Sequence, residues 1–150
     1  MLRIALYQPD IPQNVGAAIR LCACLGVALD IIEPCGFPWD DKKIRQSGMD
    51  YIDQAKIIRH NSWESFKEAN KDKRLILMTT KSSIPYTEIE FTKDDILIAG
   101  RESAGVPQSV HQEIETRIKI PMYGKARSLN IINATSMITG EALRQIGFKP

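Results

Sequence analysis

Cysteine and histidine are scarce in this sequence, and no long apolar run is present. The 150 residues include three cysteines and two histidines. Cys22, Cys24 and Cys35 are odd in number and lack CxxC spacing, which argues against a disulfide framework. Residues two apart on a helix point to different sides, so Cys22 and Cys24 do not chelate one ion. With only His60 and His111 to add, no metal site is expected. The thiols are expected to be reduced, buried as small hydrophobes, in a cytoplasmic protein. No stretch approaches the roughly 20 apolar residues of a membrane span, and Met1 to Leu6 runs straight into a strand without a basic leader, so no membrane partner is expected. An excess of one charge is also missing. Twenty Lys and Arg against 18 Asp and Glu give +2, too little for a broad basic face. Contacts to phosphates would fall to local clusters such as Lys42, Lys43 and Arg45, or Lys119, Lys125 and Arg127. Repeats, low-complexity tracts and linkers are absent, and the length suits one core, so residues 1–150 are expected to form a single domain.

What is present is an alternation of short apolar runs and amphipathic segments. Strands are predicted over 2–7, 28–33, 55–59, 74–79, 95–99 and 117–121, and helices over 13–25, 40–47, 62–69, 107–114 and 129–146. Residues 80–94 receive no assignment. Such alternation implies an α/β fold, a parallel sheet covered by helices on both faces. Asn61 with Glu64 three residues on reads as a capping box, and Gly26 and Gly147 stand where glycines end helices. In sheets of this kind ligands gather at the carboxyl ends of the strands, where the loops after Tyr7, Thr79, Ala99 and Pro121 would lie.

Three of those loops carry the chemistry. After the first strand the chain reads YQPDIPQNVGAAIR with a single glycine, so the GxGxxG dinucleotide fingerprint is absent. Pro9 and Pro12 stiffen the loop, Asn14 reads as a cap for the following helix, and Arg20 follows one and a half turns later. After the strand at 95–99 comes GRESAGVP, in which Gly100 and Gly105 bracket four residues and let a ligand approach the backbone. After the strand at 117–121 comes IPMYGKARSLN, ending on Ser128, Leu129 and Asn130 at a helix start, where Ser128 serves as N-cap, as a donor to an anion or adenosine edge, or as both. WDDKK at 39–43 and KIIRHNSW at 56–63 set aromatics beside cations, a pattern shared by RNA-contacting surfaces and by polar rims over a buried tryptophan.

In order and wording, IPQNVGAAIRLC at 11–22, GRESAGVP at 100–107 and IPMYGKARSLN at 120–130 resemble the three motifs of the SPOUT class of RNA methyltransferases. The resemblance is greatest to its TrmL (YibK-like) branch, which shares IIEPCGFPWDDK at 31–42 and MTTK at 78–81, and it runs from Leu2 to Phe148. It implies a single α/β/α sandwich with a C-terminal trefoil knot, a homodimer, and S-adenosyl-L-methionine as cofactor. The implied reaction is transfer of a methyl group to the ribose 2′-hydroxyl of the wobble cytidine or uridine of tRNA, leucine isoacceptors among them. By the same resemblance Met78, Gly100, Glu102, Ile120 and Ser128 hold the cofactor, while Asn14, Arg20, Ser128 and Asn130 form the catalytic set. The last helix would lie in the dimer face, with Arg20 of one subunit serving the other's pocket. This chain departs from the pattern at Arg101, where relatives usually have proline, and at Gly140, where they commonly carry an aromatic residue.

In-line attack on a sulfonium methyl needs alignment, loss of one proton and a cationic surround for the neighbouring phosphate, and it calls for no metal. Arg20 is the first candidate for that phosphate. A guanidinium titrates above about 12, so orientation and charge stabilisation suit it better than the role of base. Two other functions share the coarse pattern: an RNA-binding protein of the same fold without cofactor affinity, and a flavodoxin-like nucleotide-binding enzyme. The retained polar motif residues oppose the first, and the missing phosphate loop after Tyr7 opposes the second.

Overall fold

A computed structural model describes residues 1–48 and 51–147; Phe148 at the end of the resemblance lies outside them. Six strands form one sheet: β1 (Arg3–Tyr7), β2 (Ala28–Ile32), β3 (Ile57–His60), β4 (Leu75–Met78), β5 (Ile96–Ala99) and β6 (Thr116–Ile118). The order is β3-β2-β1-β5-β4-β6, and every pairing is parallel. Strands buried on both faces read as continuous apolar runs, and β2 and β5 are buried throughout.

Alternate residues feed two cores. Ile4 and Leu6 of β1 enter the larger one with Leu29, Ile31 and Leu97, whereas Ala5 and Tyr7 face the smaller one with Ile32, Ile96 and Ile98. Helices α1 (Pro12–Leu25) and α5 (Ile131–Ile146) cover the larger core. Both do so with buried residues at i, i+3, i+4 and i+7: Val15, Ala18, Ile19 and Cys22 in α1, and Thr135, Ile138, Thr139 and Ala142 in α5. Helices α3 (Trp63–Ala69) and α4 (Gln108–Glu113) cover the smaller core through Trp63, Phe66 and Val110. Beneath α3 the fully buried Asp30 accepts two hydrogen bonds from Arg3 and lies 2.6 Å from His60 Nε2. The short helix α2 (Asp41–Gly48) packs Ile44 against the larger core.

Several helix starts differ from expectation. Helix α1 begins at Pro12 with Ile11 as N-cap, so Asn14 lies inside the first turn and does not cap it. Proline needs no partner for an N–H it lacks, which favours it at the first helical position. Ser62, in place of Asn61, caps α3 by accepting from the Ser65 N–H at 3.0 Å. Helix α5 starts two residues after the predicted 129, and its cap is Asn130 instead of Ser128. Gly26 and Gly147 end α1 and α5 at φ 68° and 95°, the region glycine supplies without strain. The last strand stops at Ile118; beyond it Lys119 pairs with Pro85 as an isolated parallel bridge, so residues 80–94 form an ordered crossover with a single 3₁₀ turn at Tyr86–Glu88. Of the cysteines, Cys22 is buried and Cys35 half-buried, but Cys24 is exposed because it falls on the solvent side of α1.

Candidate active site

The sheet reverses direction of growth at β1. The chain adds β2 and β3 on one side of it, then crosses to the other, where β5 is inserted between β1 and β4. Loops leaving β1 and β5 therefore diverge from neighbouring strands at one edge, the place where parallel sheets open a crevice. A cavity of about 430 Å³ lies at the same carboxyl edge, on the β5 side of that point. Its floor is the ends of β4, β5 and β6, with Met78, Ala99 and Ile118. One wall is the loop at 100–106 and another is Ile120, Met122 and the residues from Ser128 to Asn130. Ile131, Thr135 and Ile138 of α5 close the side, and Ile11 and Asn14 the remaining edge.

The glycine loop is tightly folded. Arg101 and Gly105 form an antiparallel bridge, with Arg101 N–H donating to the Gly105 carbonyl at 3.2 Å and Gly105 N–H returning to Arg101 at 2.8 Å. Gly105 has φ +67°, and a Cβ at Gly100 would lie 2.8 Å from the backbone of Gly105. Both positions therefore require glycine, one for conformation and the other for space.

This loop is tied to the one after β1. Asp10 N–H donates to Glu102 Oε2 at 2.8 Å, the Ser103 hydroxyl donates to Asp10 Oδ2, and Arg101 Nε lies 3.6 Å from the same carboxylate. Burial pushes the Glu102 carboxyl above its ordinary value, and its hydrogen bond to Asp10 pushes it further. Asp10 is held below the usual carboxylate range by the hydrogen bonds from Glu102 and Ser103. The Arg101 guanidinium lies close to Gly36 as well, where an added Cβ would sit 3.1 Å from Arg101 Nη2.

At the far wall Asn130 Oδ1 accepts from Ile132 N–H at 2.8 Å and Asn133 N–H at 3.3 Å, fixing the start of α5 against the cavity. Ser128, relieved of capping, is an exposed cavity residue. Hence Asn14, Met78, Gly100, Glu102, Ile120, Ser128 and Asn130 all line one cavity. Arg20 does not. It is exposed on α1 with its guanidinium 5.2 Å from the centre of the Tyr51 ring. Of the peripheral cations, Arg59 pairs with Glu33 and lies 4.5 Å above Trp39, and Arg45 makes a bidentate pair with Asp53; Lys42 and Lys43 are exposed. Thr79 and Thr135 also line the cavity, and Asp10 joins it through Glu102 and Ser103; no sequence pattern marks these three. Among the described residues no group of three or more His, Cys, Asp or Glu is placed to hold a metal ion, and no helix is long and apolar enough to cross a membrane.

The profile of the SpoU rRNA Methylase family matches residues 1–140. The chain belongs to that family. A curated relative from Beijerinckia indica, a tRNA (cytidine(34)-2′-O)-methyltransferase, is 53% identical over 146 residues, 96% of this chain and 91% of its own. A solved structure from work on the 2-OH methylation of C/U34 on tRNA superposes with a TM-score of 0.92 at 37% identity, covering 97% of this chain and 95% of that one. The SpoU methyltransferase of Streptomyces viridochromogenes in complex with AdoMet superposes with a TM-score of 0.83 at 26% identity, over 97% of this chain and 60% of that one.

Proposed function

We propose that this chain transfers a methyl group from S-adenosyl-L-methionine to the ribose 2′-hydroxyl of nucleotide 34, cytidine or uridine, in tRNA. The observation that carries the reading is the convergence of three loops, far apart in sequence, on one cavity at the carboxyl edge of the sheet. The cavity suits the cofactor chemically. Gly100 lines it, apolar walls from Ile118, Leu129 and Ile138 suit adenine and the methionine chain, and Glu102 is the acid beside a cationic sulfur. When bound, the cofactor supplies an electrophilic methyl group. Met78, Gly100 and Ile120 hold it through backbone groups, with Glu102 and Ser128 as side-chain contacts. Asn14 and Asn130 orient the ribose.

The domain spans residues 1–150 with a knot at its C-terminal end and works in the cytoplasm. The protein is a homodimer. Arg20 lies off its own cavity on an exposed helix, and Ile11, Leu129 and Met137 are exposed large hydrophobes on or beside the two helices that cover the larger core, a face suited to a second copy. In that arrangement Arg20 reaches the partner's pocket, where it grips the phosphate beside the reacting ribose.

Titration with S-adenosylmethionine by calorimetry, followed by incubation with unmodified tRNA and mass-spectrometric mapping, tests the reading. Cofactor binding and a methyl group on ribose 34 are expected, and Arg20→Ala should abolish transfer while leaving cofactor affinity intact. Absence of binding at millimolar cofactor would refute the enzyme, methylation elsewhere would refute the position, and a monomer by light scattering would refute the dimer.

A further inference from the structure

Residues 116–140 contain Arg117, Lys119, Lys125 and Arg127 and no acidic side chain, in a chain with 18 acidic residues. Arg117 donates to the His111 carbonyl and Lys119 lines the cavity. Lys125 and Arg127 are exposed in the loop between β6 and α5, and neither has a carboxylate partner among the described residues. In the same loop stands Tyr123, which is 98% exposed. Its neighbour Met122 lines the cavity, so the ring projects from the rim.

That exposure sets Tyr123 apart. Trp39, Tyr51 and Trp63 each sit under a cationic side chain, at 4.5, 5.2 and 5.6 Å. Tyr123 makes no ring or cation contact among the described residues and offers both faces. An aromatic face flanked by unneutralised cations has the chemistry of a single-stranded RNA platform: the ring stacks a base whatever its identity, and the cations meet phosphates on either side. A polyanion supplies the negative charge that Lys125 and Arg127 do not meet within the described residues.

We propose that Tyr123 stacks on an unpaired nucleobase adjacent to the methylated nucleotide, with Lys125 and Arg127 on the phosphates that flank it. The inference rests on the tRNA substrate proposed above and adds a contact surface to it. The platform holds the single strand on the side of the cavity formed by the β6–α5 loop, so that the target ribose is presented to the cofactor while its neighbour is fixed. Tyr123 is a positioning residue for the substrate and has no part in holding the cofactor.

The test is tRNA affinity of the full-length protein, saturated with cofactor, measured by fluorescence anisotropy across a salt series. Tyr123→Ala should weaken binding about tenfold, within the range of base-aromatic stacking, and raise KM for tRNA in step. Tyr123→Phe should restore it, and cofactor affinity, melting temperature and oligomeric state should match wild type in both. The pair Lys125→Gln and Arg127→Gln should lower the slope of log affinity against log salt by about 1.4, at about 0.7 for each single-strand phosphate that is no longer neutralised. Wild-type methylation together with an unaffected Tyr123→Ala variant overturns this inference alone. Dissociation of the Tyr123→Ala variant into smaller species also overturns it, since the ring would then belong to an interface between copies. A wild-type protein that neither binds cofactor nor methylates tRNA overturns the functional reading first.

Discussion

Replacing Gly100 with alanine probes whether the cavity depends on the close approach of two backbone segments. The added Cβ would lie 2.8 Å from Gly105 Cα and carbonyl carbon and 3.1 Å from Val106 N, against an ordinary contact distance of 3.4–4 Å. These neighbours are backbone and cannot rotate away, so the loop must open by about 0.6 Å, the difference between 3.4 and 2.8 Å. Overpacking of this kind costs about 1–3 kcal/mol. At roughly 2–4 °C per kcal/mol for a chain of this size, melting should fall by about 2–12 °C. The same opening displaces the loop at 100–106 that walls the cavity, so cofactor affinity by calorimetry should fall at least about tenfold, or about 1.4 kcal/mol. Gly105→Ala is the control. Its Cβ meets nothing within 4 Å, but its φ of +67° strains alanine by about 1–2 kcal/mol. It should lower melting and leave cofactor affinity close to wild type. A Gly100→Ala protein that binds cofactor normally, or a Gly105→Ala protein that binds it worse, would refute the steric argument.

Asp30→Ala should destabilise by about 3–5 kcal/mol in urea unfolding, because it strips a fully buried carboxylate from Arg3 and His60; a loss below about 1 kcal/mol would contradict this. Glu102→Gln fixes the side chain neutral. The raised carboxyl of wild type stabilises the fold below the ordinary glutamate value of 4.5 and loses that contribution as pH rises through its folded value, so the variant should melt higher than wild type at pH 8. The advantage should vanish at pH 4, and a pH-independent difference would be evidence against it. Burial pushes the Cys22 thiol up to about 12 and Cys35 up to about 11, so iodoacetamide at pH 8 should label the exposed Cys24 first. Equal labelling of all three by mass spectrometry would count against the packing around α1.

Element types were readable from periodicity because each strand is a short apolar run and each long helix keeps a 3-4 spacing. Strand order was not, since pairing joins Arg3 to Ile96 and Ile76 to Thr116, register partners that no local pattern encodes. Cap positions went astray wherever two polar residues stood close together. Asn61 and Ser62 both suit an N-cap, as do Ser128 and Asn130, and the choice follows from backbone conformation that sequence does not display. Pro12 was the readable signal for the start of α1, and taking it as loop stiffening left Asn14 to be read as the cap. The cavity residues followed from the motif resemblance and from the rule that parallel sheets bind at their carboxyl edge. The placement of Arg20 depends on the rotation of α1, which Tyr51 and α2 settle through packing. Asp10 went unnoticed because its partners Glu102 and Ser103 lie 92 and 93 residues away.

The walls of the cavity run from Ile11 to Ile138, which has a bearing on synthesis. At about 5–20 residues per second a ribosome delivers the first strand and helix long before the last wall. Until α5 has emerged, the loop at 100–106 faces an edge with no opposing side. A ligand that binds only the completed site stabilises by mass action only molecules that possess it. Cellular cofactor concentration can therefore protect finished copies against unfolding, yet it offers nothing to a nascent or C-terminally clipped chain, whose survival depends on the sheet and its two cores alone.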